Sequence, residues 1–270
     1  MFFSILIPTC NRSLLLGRCL EQLTKQIGIE GITYEIIVSD DSINSESYNM
    51  TTSAFPKVKW VKGPRNGIGA NRNNAASYAI GKWLVLIDDD CIPEPNILYT
   101  YDRAIKNNST CLAFEGSIVS DNPALVKKDS TECPVNTEGG CFWTANVCIN
   151  RLLFSEIGGF DENFKFYNED QDIYIRLKEK TSIPFIKEAI VVHPVRFVSL
   201  NQRLKKAWLR YTDYVRLLRK KHHNDKIIAK SYLYHLQSIG HNLKRFKWRS
   251  IIFHLYHVIW IIPFYHIKKR

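Results

Sequence analysis

The stretch Leu84–Pro95, LVLIDDDCIPEP, carries the decision about the fold. Four apolar residues in a row, Leu84–Ile87, read as a strand buried on both faces, and that strand runs straight into Asp88, Asp89 and Asp90. Adjacent like charges beside a low-dielectric core are costly unless something positive sits among them. A bound cation is the natural candidate.

The same grammar recurs upstream. SILIP is a short apolar run closed by Pro8, YEIIVSDDS is a buried strand ending in Asp40 and Asp41, and KVKWVKG is a third strand. Between them LLLGRCLEQLTKQ has helical spacing, and NGIGANRNNAASYAIG opens on glycines before an Ala-rich helix. Continuous apolar strands separated by helices predict an α/β fold with a mostly parallel central sheet covered on both faces. Downstream, CLAFEGSIVS and FWTANVCIN read as strands and RLLFSEIGGF as a short helix stopped by Gly158 and Gly159. EDQDIYIRLKEK reads as a helix, and PFIKEAIVVHP as a strand ending at His193. In an open parallel sheet, ligands bind beyond the carboxyl ends of the strands. The acids Asp40-Asp41, Asp88-Asp89-Asp90 and Glu169-Asp170, with His193, are expected to meet there.

Charge divides the chain. From Arg196 onward there are 18 Lys/Arg against only Asp213 and Asp225, whereas Met1–Val195 carries 19 basic and 24 acidic residues. The reading is a domain over 1–195 and a basic, aromatic, α-helical region over 196–270. No basic n-region precedes FFSILIP, so no signal peptide is expected. Seven cysteines without a CxxC pair predict reduced thiols and a cytoplasmic protein.

Four segments in order, SILIPTCNR, YEIIVSDDS, NGIGANRNNAASYAIGKWLVLIDDD and GGFDENFKFYNEDQDIYIRL, resemble the successive motifs of family 2 glycosyltransferases with the GT-A nucleotide-sugar-binding fold. The resemblance implies an inverting transferase that moves a sugar from a nucleotide-sugar donor, most simply a UDP-sugar, to an acceptor hydroxyl. It implies that Pro8 and Thr9 line the nucleotide pocket, Asp41 binds the base and Arg72 faces the nucleotide or its phosphates. Asp88, Asp89 and Asp90 match the family's DxD signature. Asp88 and Asp89 would lie near the donor sugar or ribose, and Asp90, with Asp88 and His193, would hold a divalent metal. Hard carboxylates suit Mn²⁺ or Mg²⁺, and an imidazole favours Mn²⁺. By the same resemblance Asp170 is the general base, with Glu169 as its substitute or as an acceptor-positioning group, and Trp143 contacts the acceptor. The helix N-terminus after Asn168 is expected to keep these carboxylates ionised, and Asp172 to cap the helix or pair with Arg176.

In the tail, Leu200, Leu204, Trp208, Tyr211, Val215 and Leu218 recur at steps of three and four, one apolar stripe flanked by cations. Ser250–Ile267 is apolar over about the shortest length that spans a bilayer, but it contains His254, His257, His266 and Pro263. Lying in the interface of an anionic membrane is therefore expected over spanning it, with Tyr256, Trp260 and Tyr265 among headgroups and the closing KKR against lipid. This predicts an enzyme peripheral to the inner face of the cell membrane, acting on a lipid-linked or surface-polysaccharide acceptor. The same helices could instead join copies of the chain into a homo-oligomer or bind another protein. Two other classes compete. A sugar-phosphate nucleotidyltransferase would follow its first strand with a Gly-rich loop, where this chain has PTCNR. A non-catalytic polyanion- or membrane-binding derivative would have lost some of the acids, and all are present; for the same reason nucleic acid is not an expected partner.

Overall fold

The computed structural model describes residues 1–126, 128–221 and 227–267. The KKR segment at the end of the sequence lies outside the described residues. The strands are β1 (Phe3–Thr9), β2 (Tyr34–Asp40), β3 (Lys59–Lys62), β4 (Trp83–Ile87), β5 (Ile92–Pro93), β6 (Ala113–Ser120), β7 (Thr131–Glu132), β8 (Asn146–Asn150), β9 (Phe185–His193) and β10 (Arg196–Phe197). The helices are α1 (Ser13–Leu23), α2 (Glu46–Ala54), α3 (Ile68–Ser77), α4 (Ile97–Asn107), α5 (Pro123–Val126), α6 (Arg151–Glu156) and α7 (Glu169–Lys178). Further on come α8 (Leu200–Lys205), α9 (Ala207–Lys221), α10 (Ile227–Leu243), α11 (Trp248–Tyr256) and α12 (Ile262–Ile267), the last two joined by a π-helical turn at His257–Ile261.

The chain forms two compact units, one of Met1–Asp121, Pro134–Asn163 and Glu169–Pro194, the other of Asn122–Cys133, Phe164–Asn168 and Val195–Arg270. The first contains an eight-stranded sheet in the order β3-β2-β1-β4-β8-β6-β9-β5. Pairing is parallel for β1 with β2 and β4, β2 with β3, and β6 with β9; β8 and β5 run against their neighbours. The predicted mostly parallel α/β sheet is the one observed, and its central strands end on one edge. Thr9 pairs with Asp40 there, and β4 runs out into Asp88.

Burial on both faces explains the continuous apolar runs. Phe3, Ile5 and Ile7 of β1, Ile36 and Val38 of β2, and Trp83, Val85 and Ile87 of β4 pack into one core beside α1 and α4. The alternate residues Leu6, Ile37, Leu84 and Leu86 pack on the other face with Ile173 and Leu177 of α7. The period of two along a strand thus feeds two cores at once.

The second unit is not entirely helical, as the tail's composition suggested. β10 pairs antiparallel with β7, Arg196 opposite Glu132. Helix α8 begins in a capping box between Ser199 and Gln202. Within this unit Tyr211, Val215 and Leu218 of the predicted stripe are buried with Ile227, Ile261, Ile262 and Tyr265. Tyr265, expected among headgroups, is 2% exposed and meets the rings of Trp208 and Tyr211.

Candidate active site

Two arginines answer the three carboxylates. Arg12, at the entrance to α1, places Nη1 3.0 Å from Asp89 Oδ1 and 3.1 Å from Asp90 Oδ2. Arg72, on α3, donates from Nη2 to Asp88 Oδ1 at 2.8 Å and from Nη1 to Glu169 Oε1 at 2.9 Å. Its guanidinium lies 5.6 Å from the Phe160 ring and is almost completely buried. A planar fork with fixed donors can span two carboxylates in a way that a lysine cannot. Arg72, expected to face the nucleotide or its phosphates, ties the end of β4 to the start of α7.

The remaining predicted residues are distributed around this pair. Pro8 is buried within β1 opposite Ser39, and the Thr9 hydroxyl donates to Asp89 Oδ2 at 2.7 Å. Asp89 has its carboxyl pushed up to about 6, because burial outweighs the help of Arg12. Asp40 is structural: it accepts from Ser42 N at 2.8 Å and from Trp60 Nε1 at 3.2 Å. Asp41 is more open, accepts from the Arg65 backbone N–H at 2.7 Å, and is raised by partial burial. A Cβ on Gly63 would collide with Asp41 Oδ1 and Asn71 Oδ1, so glycine there is what lets Asp41 sit where it does.

A metal would fit at the far side of the cluster. His193 Nε2 is 3.4 Å from Asp90 Oδ1, and both side chains are 1% exposed. His193 Nδ1 lies 2.9 Å from the Pro194 carbonyl oxygen. That oxygen can only accept, so Nδ1 carries a proton and Nε2 is the ring atom that faces Asp90. A histidine oriented through its other nitrogen by a backbone carbonyl is the usual state of a metal ligand. Cys91 brings a third buried donor atom into the same group, with all ligand atoms within 4.8 Å of one another. Burial, then the neighbouring carboxylates, push that thiol well above its ordinary range. Asp88, predicted to share the metal, is outside this group and faces Arg72.

At the start of α7, Glu169 is buried against Arg72 and Asp170 is half-buried. Asp170 is raised to about 7, by burial first and by the adjacent Glu169 second. The expectation that the helix N-terminus keeps it ionised is therefore corrected: desolvation beside a second carboxylate outweighs the helix dipole. Asp172 pairs with Arg176 at 2.7 Å, one of the two roles expected of it. Trp143 is half-buried against the first core, while the preceding Phe142 stacks on Tyr174 at 5.2 Å.

Two contributors escaped the sequence reading. Arg12 sits in PTCNR, 77 residues before Asp89, and the only hint was the repulsion that three adjacent acids must relieve. Glu115 is 2% exposed and accepts from Asn136 Nδ2 at 2.7 Å, Gly140 N at 2.7 Å and Cys141 N at 2.9 Å, and also from Phe142 N. It folds the loop whose Cys141 carbonyl accepts from Gln171 Nε2 at 2.7 Å, next to Asp170.

The α/β sheet has acids at the ends of its central strands, joined by a buried arginine to a carboxylate pair on a helix, and it is a fold of the GT-A kind. Residues 4–156 match the glycosyl transferase family 2, and the chain belongs to that family. It is 28% identical over 196 residues to an uncharacterized glycosyltransferase of Haemophilus influenzae, covering 66% of this chain and 63% of that one. It is 27% identical over 195 residues to a glucosyl-dolichyl phosphate glucuronosyltransferase of Haloferax volcanii, covering 60% of each. Among solved structures it is similar to S. aureus TarS 1-349 in complex with UDP, with a TM-score of 0.59, 19% identity, and 79% of this chain and 65% of that one covered. The same protein has also been solved with UDP-GlcNAc. The chain thus spans a little under two thirds of the length of these relatives.

Proposed function

We propose that this glycosyltransferase is an inverting, metal-assisted enzyme that moves a sugar from a UDP-sugar to a hydroxyl of a lipid-linked saccharide, at the inner face of the cell membrane. The observation that carries the reading is the Arg72 bridge from Asp88 to Glu169, which sets the donor-side acids beside the pair containing Asp170. Asp41, Thr9 and Pro8 form the nucleotide side, and UDP as the nucleotide is supported by the UDP and UDP-GlcNAc complexes of TarS. Asp90 and His193 would hold the divalent ion, Mn²⁺ before Mg²⁺ because of the imidazole. Held there, such an ion would supply charge that offsets the departing diphosphate without proton transfer.

The chain's own residues do the rest. Asp170 Oδ takes the proton of the acceptor hydroxyl as that oxygen attacks the anomeric carbon from the face opposite the leaving diphosphate, so configuration inverts. A base with a pKa of about 7 is half-ionised at neutral pH and still basic enough to drive the transfer. Arg72 stays buried and holds Asp88 and Glu169 in register, so the two sides of the reaction keep their spacing.

The lipid-linked acceptor and the membrane rest on the second unit and on the name of the Haloferax relative. The continuous helix Trp248–Ile267 is long and apolar enough to cross a membrane by length and composition, but its histidines make contacts within the second unit. His257 is buried and stacks on His235 at 4.4 Å, and His235 Nδ1 lies 2.9 Å from His254 Nδ1. Burial lowers His235 to about 3 and His254 to about 4, so both stay neutral. Outward face Ile252, Leu255, Ile259, Trp260 and Phe264, each 40% exposed or more, with Lys244, Arg245 and Arg249 exposed at the helix's start. An apolar strip ending in cations suits an anionic interface better than a bilayer interior.

A panel of nucleotide sugars with Mn²⁺ tests the donor. A UDP-sugar at a hundredfold excess over its Kd should stabilise the fold by about 2.7 kcal/mol and raise the melting temperature. A panel in which UDP-sugars have no effect and another nucleotide sugar does would move the donor to that class.

A further inference from the structure

Asp213, one of only two acids after Arg196, is fully buried in α9. Its Oδ2 accepts from the backbone N–H groups of Lys165, Phe166 and Tyr167, each at 3.2 Å, and its Oδ1 accepts from Arg216 Nη1 at 2.9 Å. Three successive N–H groups converging on one carboxylate oxygen fix the backbone of three residues together. The same face of α9 grips the side chains of that segment. Arg210 lies 4.5 Å from the centre of the Tyr167 ring, Arg216 5.6 Å and Lys220 5.2 Å from that of Phe164, which is itself fully buried. Residues 210, 213, 216 and 220 recur at helical steps, so one stripe of α9 is given over to Phe164–Asn168.

That segment ends at Asn168, whose φ of 65° is the left-handed conformation that asparagine tolerates better than most L residues. The next two residues are Glu169 and Asp170. We infer that Asp213 is a positioning residue for the catalytic carboxylates: it fixes the backbone from which the chain enters α7 and so sets where Asp170 stands. A fully buried carboxylate is costly unless its bonds are needed, and three of the four here go to the loop. The inference rests on the reading of Asp170 as the base, because a base misplaced by about 1 Å can lose about a hundredfold in rate.

The test compares Asp213→Asn, which keeps one acceptor oxygen but no charge, with Asp213→Leu, which keeps volume and no acceptor, and with Asp170→Asn. Turnover is read as UDP release from the UDP-sugar chosen by the melting panel, with water as acceptor; UDP affinity is read by calorimetry with Mn²⁺; and amide exchange is followed at residues 165–167. The expected result is a graded loss of kcat, about tenfold for Asn and about a hundredfold for Leu. UDP affinity should stay within about twofold, and exchange should be faster at 165–167. If the Leu variant does not fold, the Asn variant decides. Wild-type kcat in a folded Asp213 variant beside an inactive Asp170→Asn overturns this inference alone, as does a parallel loss of UDP affinity, which would mark a general structural role. An active Asp170→Asn overturns the base assignment, and the inference falls with it.

Discussion

The Arg72 site and the Asp213 anchor are both arginine-and-acid constructions, yet they are built for different ends. In the first unit, Arg72 joins two carboxylates from strand and helix, so its removal leaves two acids facing each other. In the second, one carboxylate gathers three backbone donors and an arginine, so its removal frees a short segment of chain. Charge density is stored where chemistry occurs and is spent on backbone geometry where it does not.

The sharpest way to break that contrast is Arg72→Leu. Taking the shared cation from between Asp88 and Glu169 breaks both ion pairs and should cost about 3–5 kcal/mol in denaturant unfolding. A cost below about 1 kcal/mol would mean that the pairs are dispensable, and the bridge would lose its meaning as the joint of the site.

Asp170→Asn is next in size. It should lower kcat by about a hundredfold or more while UDP affinity stays nearly unchanged. With Asp170 as the proposed base the reactive form is the ionised one, and its carboxyl is raised to about 7. The rate should therefore rise with pH through about 7 and fall about tenfold per pH unit below it. The stability sign is opposite, since the folded state holds this proton more tightly than the unfolded chain. Asp170 should make the fold lose stability as pH rises from the ordinary carboxylate range through about 7. A pH-independent kcat between 5 and 8 would contradict the assignment.

Much of the first unit was legible because both sheet faces are buried. β1, β2 and β4 wrote themselves as unbroken apolar runs, and the acids at their ends announced the edge that matters. The reversed direction of β8 was not legible, since an apolar run carries no sign of direction. α2 was missed because ESYNMTTSA buries only Ser47 and Thr51 and has little apolar periodicity. Arg12 was invisible for a different reason: its partners lie far along the chain, and local pattern cannot say which cation will reach them. In the tail the spacing of Tyr211, Val215 and Leu218 gave a helix face but not its burial, and of the histidines that argued against spanning His257 is buried while His254 and His266 meet His235 and Tyr211.

The smallest effect on the fold belongs to the outer face of Trp248–Ile267. Trp260→Ala with Phe264→Ala should change stability by no more than about 1 kcal/mol, since both rings are more than half exposed, yet release the protein from floating anionic vesicles. Unchanged flotation would remove the membrane from the account. Loss of a dimer or of a partner protein in place of flotation would make the face an assembly surface.

The claim on which all of this stands is that the carboxylate cluster is a metal-assisted nucleotide site. Calorimetric titration of the full chain with UDP, in Mn²⁺ and again in excess chelator, with Asp90→Asn alongside, tests it most directly. The account predicts saturable UDP binding in Mn²⁺ that weakens at least about tenfold, or about 1.4 kcal/mol, both in chelator and in a folded Asp90→Asn protein. UDP affinity that is the same with and without metal, or no UDP binding in Mn²⁺ at all, would contradict it.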